Sequence, residues 1–103
     1  MDEQIDASEA TKTVVNCESV VDINSADKLY QRLHDALQYK HVVEINATDV
    51  TRVDTAILQL FTAFTLEAKI QELSVSWLGV SEAFYQAVEL LGLTDELNIP
   101  QPQ

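Results

Sequence analysis

Val42-Val43-Glu44-Ile45-Asn46-Ala47-Thr48-Asp49-Val50-Thr51-Arg52-Val53-Asp54-Thr55-Ala56-Ile57-Leu58 decides the fold. Val43, Ile45 and Ala47 alternate with Glu44 and Asn46, the period-two pattern of a strand with one buried face. Thr48 to Arg52 is a polar turn. Val53-Asp54-Thr55 then leads into a long helical run reaching about Gln71. Asp54 has the residue type of an N-cap and sits where its charge meets the positive end of the helix dipole. Strand, turn and long helix in direct succession predict an α/β sheet with helical crossovers.

The same alternation extends outward. Residues 11–17, Thr-Lys-Thr-Val-Val-Asn-Cys, are rich in β-branched residues and read as a strand. Val20-Val21-Asp22-Ile23 reads as a second extended piece, and Asn24-Ser25 supplies cap chemistry for a helix. That helix carries Ala26, Leu29, Leu33, Ala36 and Leu37 on one stripe. Downstream, Leu73, Val75 and Trp77 alternate with Ser74 and Ser76 up to Gly79, which is expected to break the strand. Ser81 caps a last helix with Phe84, Ala87, Val88 and Leu91 inward, and Gly92 stops it. The first ten residues, acidic and without a basic side chain, are expected to be disordered. A single domain over about 11–99 and a flexible tail over 100–103 complete the expected organisation.

The chain has 103 residues, 47% of them apolar, enough to bury one core. Its 17 Asp and Glu against 6 Lys and Arg give a formal net charge of −11. That excludes nucleic-acid binding and direct binding to an anionic membrane, since both need a cationic face. No apolar run approaches the ~20 residues of a membrane span, and the start lacks the basic and apolar segments of a signal peptide. The single Cys17 allows no internal disulfide, and the expected compartment is cytoplasmic.

No catalytic constellation emerges. Two glycines, Gly79 and Gly92, are too few for a phosphate-cradling loop, and no cofactor is expected. His34 and His41 read as a surface and a strand-edge residue rather than metal ligands. No nucleophile sits in a glycine-flanked elbow. The chain is therefore expected not to be an enzyme.

One surface stands apart. At about 100° per residue, Ile57, Leu60, Phe61, Phe64 and Ala68 fall on the inner side of the middle helix. Thr55, Gln59, Thr62 and Leu66 fall opposite, flanked by Ala63 and Lys69. This outer side carries no Asp or Glu. It is either a neutral solvent face or a docking surface kept free of charge so that a partner can desolvate it. A phosphate on Thr55 would be tolerated at a helix start and would bring nearly two negative charges to that side.

The stretch from Val42 to Leu58 resembles the signature of STAS domains, which include bacterial antagonists of anti-sigma factors. Asp54, Thr55, Ala56 and Leu58 match the family's Asp-Ser/Thr-Ser/Ala/Gly-Gly-Leu at a helix start. Val21 to Ala26 resembles the segment before the first helix, and Ser81 to Leu97 the last helix with its Gly-Leu ending. The resemblance covers roughly residues 13–97. It departs at Ile57 and Asp49, where the family commonly has glycine. It implies a mixed sheet of four to five strands with three to four helices packed on it. It also implies partner binding at the helix start, Asp54, Thr55, Ala56 and Leu58, with Thr55 as the phosphorylated residue of a partner switch, and the helix angles extend the expected docking surface to Gln59, Thr62 and Leu66. The implied partner is an anti-sigma factor that is also a serine/threonine kinase. The C-terminal half is similar to STAS proteins encoded beside chemosensory histidine kinases. The alternative is an accessory STAS subunit of a phospholipid-transport ABC ATPase, which shows a string like Arg52-Val53-Asp54-Thr55.

Overall fold

The computed structural model describes residues 12–101. The acidic start expected to be disordered, and Pro102 and Gln103 of the tail, lie outside the described residues. In chain order the elements are β1 (Lys12–Asn16), β2 (Val20–Val21), a 3-10 turn (Ile23–Ser25), α1 (Ala26–Gln38), β3 (Val42–Ala47), β4 (Arg52–Val53), α2 (Thr55–Ile70), β5 (Val75–Val80), α3 (Glu82–Leu90) and α4 (Thr94–Leu97). The α/β class is as expected, but the strands divide into a sheet ordered β1-β3-β5 and a separate pair, β2-β4. Every described pairing is parallel, so the antiparallel part of the expected mixed sheet is not found among the described residues.

β3 is the centre, and its alternation is read directly as burial: Val43, Ile45 and Ala47 are fully buried, their neighbours half-buried. On the other face Lys12 pairs with Glu44 at 3.5 Å, and Asn46 donates to Asn16 at 3.2 Å. α2 covers the buried face with Ile57, Leu58, Phe61, Phe64 and Ala68. Phe61, Trp77 and Phe84 meet as an aromatic triangle with centroids 5.4 to 6.2 Å apart. The indole of Trp77 donates to the Leu97 carbonyl at 2.9 Å, which satisfies its one polar atom and ties α4 to the sheet.

The 3-10 turn corrects the reading of residues 20–25. Ile23 belongs to the turn rather than to a strand, and Asp22, not Asn24 or Ser25, supplies the cap by accepting from the Asn24 amide at 3.0 Å. Gly79 does not break β5; the strand continues to Val80. A register shift at Ile45/Asn46 makes Leu78 an extra residue opposite β3 and brings Gly79 against the turn after β3. A Cβ on Gly79 would stand 2.1 Å from the Thr48 hydroxyl oxygen. Gly79→Ala is therefore expected to lower stability by about 1–2 kcal/mol in chemical denaturation. Thr48→Ala in the same chain should restore most of that loss, and an uncorrected double variant would place the cause elsewhere.

Ser81 caps α3 as expected, accepting from the Phe84 amide at 3.0 Å, and its hydroxyl also donates to the Val50 carbonyl at 2.6 Å. Gly92 follows with φ +71, the left-handed backbone that favours glycine at a helix end. Leu91 departs from the expected inward face. It lies beyond the last helical residue and is 43% exposed. α4 turns the chain back and buries Leu97.

Candidate functional site

The start of α2 is held by the two short strands β2 and β4. The Ser19 carbonyl accepts from the amides of Thr51 at 2.7 Å and Arg52 at 3.1 Å, and the Val21 carbonyl accepts from the Asp54 amide at 3.1 Å. The Asp54 carbonyl in turn accepts from the amides of Ile57 and Leu58, opening the helix. Thr55, the first helical residue, is thereby fixed on an exposed corner.

Asp54 occupies the N-cap position with extended backbone, but its carboxylate makes no capping hydrogen bond. It lies 3.8 Å from the Arg52 guanidinium instead, a solvent-exposed pair worth little. The expected side-chain cap is thus replaced by a weak ion pair, and the N-terminal end of α2 keeps its exposed polar character.

From Thr55 the exposed side of α2 runs through Ala56, Gln59, Ala63, Leu66 and Ile70. Leu66 is 61% exposed and Ile70 is 68% exposed. Thr62 is half-buried at the margin of this strip, and its hydroxyl donates back to the Leu58 carbonyl at 2.8 Å. It therefore offers its methyl rather than a free donor. Leu58 does not belong to the strip: only 1% of it is exposed, and it packs in the core. Leu58 is one turn from Thr55, but its three-residue step leaves it about 60° to the core side, while Gln59, Ala63, Leu66 and Ile70 fall on the other side of Thr55. Sequence reasoning missed Ile70, which the same 100° arithmetic places with Leu66, one turn on. Glu67 and Lys69 stand at the two sides of the strip, which itself carries no charge.

The other candidates are dispersed. His34 is exposed and stacks on Tyr30 at 5.7 Å, while the His41 ring lies 2.7 Å from the Thr13 hydroxyl. Among the described residues no group of three or more His, Cys, Asp and Glu side chains is placed to hold a metal ion. No described helix is long and apolar enough to cross a membrane.

Residues 5–100 match the family described as "Mlab, STAS domain". No curated protein matches the chain. The match spans nearly all of the 103 residues, and with a parallel α/β core that presents an Asp-Thr pair at the exposed start of its longest helix, the chain belongs to the STAS domain family.

Proposed function

We propose that this chain is a regulatory protein-binding module that docks a partner through the start and uncharged strip of α2. STAS domains are in general regulatory protein–protein interaction modules rather than enzymes. The observation that carries the reading is the exposure of Leu66 and Ile70 on the strip that begins at Thr55. In a chain of net charge −11, an acid-free strip with two large exposed apolar side chains is a surface that a partner can desolvate without stripping water from a carboxylate. The docking residues are Asp54, Thr55, Ala56, Gln59, Ala63, Leu66 and Ile70, with Thr62 at the margin.

Thr55 is the proposed control point. Its hydroxyl is on an exposed residue at a helix start, where a phosphate is stabilised by the helix dipole and disturbs no packing. About −1.5 to −2 of added charge would sit at the head of a neutral strip and oppose its desolvation. The proposed setting is partner switching against an anti-sigma factor that is also a serine/threonine kinase, or docking to a chemosensory histidine kinase.

The test compares wild type with Thr55→Glu as bait in extracts of the source cell. Thr55→Glu is expected to reduce capture of the partner about tenfold while its circular dichroism stays at wild type, the fold tolerating an anion there. Unreduced capture would remove Thr55 from the docking surface. Incubating the wild-type chain with the captured partner and ATP should add the mass of one phosphate. An unchanged intact mass would leave docking without a phosphorylation switch, the outcome that favours the alternative, an accessory subunit of a transporter ATPase.

A further inference from the structure

The C-terminal end of β1, β2 and the first turns of α1 enclose an open cleft of about 410 Å3. That volume lies within the range of small-molecule sites. Its floor is apolar: Val15, Val21 and Leu29 are buried members of the core, and Cys17 lies beside them. Burial pushes the Cys17 thiol up to about 11, opposed by the nearby Arg32 charge, so at neutral pH the thiol adds no charge to the floor.

One wall carries two cations. Lys28 and Arg32 are four residues apart on α1, which brings them to neighbouring turns on one side of the helix. Arg32 also donates to the Val14 carbonyl of β1, which holds its guanidinium across the cleft from α1 to the sheet. The chain has 6 basic residues, and two of them line this one cleft. Glu18 and Asp22 also line it, so the formal charges of the lining cancel. Asp22 is already engaged with the Asn24 amide. A neutral balance of this kind admits a monoanion and disfavours a polyanion such as a nucleoside triphosphate.

We propose that this cleft binds a small organic carboxylate with an aliphatic body. The carboxylate lies between Lys28 and Arg32, where a planar guanidinium and an ammonium meet both oxygens. The aliphatic chain lies over Val15, Val21 and Leu29. The site shares no residue with the α2 strip, although Val21 of its floor also accepts from the Asp54 amide at the head of that helix, and octanoate binding is read separately from partner docking.

Octanoate is the probe, titrated into the full chain at neutral pH and followed by amide NMR. Saturable shifts are expected at Cys17, Val21 and Leu29. Octanol, which lacks the charge, and ATP, which carries too much of it, should each bind about tenfold more weakly. Lys28→Gln and Arg32→Gln should each weaken octanoate about tenfold with unchanged circular dichroism. Lys28 is exposed, so its variant decides the matter if Arg32→Gln disturbs the β1 contact. Equal binding of octanol and octanoate, tighter binding of ATP, octanoate shifts confined to other parts of the chain, or no saturable shift at all would each overturn the proposal. So would full affinity in Lys28→Gln.

Discussion

Ile57→Asp is expected to leave the chain unfolded under native conditions, with the far-ultraviolet circular dichroism of a disordered polypeptide. Ile57 is 0% exposed and stands in the first turn of α2, packed among the core residues that cover β3. The substitution removes about 1.5–3 kcal/mol of apolar burial. It also places a carboxylate where no cation is buried to meet it, a cost of several kcal/mol even if the group takes up a proton. Against a typical domain stability of about 5–15 kcal/mol, the sum is enough to shift the population to the unfolded state. A soluble Ile57→Asp variant melting at the wild-type temperature would mean that the side chain faces solvent and that the register of α2 is different. The same burial shows how the fold accommodates isoleucine where the family commonly has glycine. The bulk of Ile57 is spent inward, and none of it is added to the exposed corner beside Thr55.

The parts of the fold legible in the sequence were those governed by local periodicity. The alternation of Val43, Ile45 and Ala47 became three fully buried residues. Along α2 the angular arithmetic placed Ile57, Phe61, Phe64 and Ala68 inward and Leu66 outward, as found. What escaped is non-local. Val20-Val21 read as extended, but β4 and its pairing with β2 did not show: the pair is two residues a side and is defined by backbone bonds between distant segments, which no side-chain pattern marks. Gly79 read as a break because glycine weakens strands, yet its cause is the Thr48 side chain from another loop. Asp54 had the right residue type for a cap. Whether a carboxylate turns to its own helix or to Arg52 is a rotamer choice that residue type does not encode. The cleft beneath Lys28 and Arg32 was not legible, because its lining comes from three elements, none of which carries a pattern of its own.

Leu66→Asp combined with Ile70→Asp is expected to have the opposite profile: a melting temperature near that of wild type and loss of partner binding by about a hundredfold or more. Both side chains are mostly solvated in the free chain, so replacing them removes little buried area, and surface changes of this kind usually stay within about 0.5 kcal/mol each. In the docked state the same positions lie at the middle and far end of the strip that starts at Thr55. There each carboxylate must be desolvated, and the strip that was free of acids acquires two. The loss should appear mainly as faster dissociation, since apolar anchors act after encounter, whereas Thr55→Glu acts at the edge. Measured by surface-bound partner, the double variant separates two uses of one helix. A large fall in melting temperature would make Leu66 or Ile70 a packing residue. Unchanged affinity in a well-folded variant would show that the partner does not use this side of α2. The contrast with Ile57→Asp is what gives the measurement its force. The three positions share one helix and one chemical change, and only the direction in which each side chain points decides whether the fold or the docking is lost.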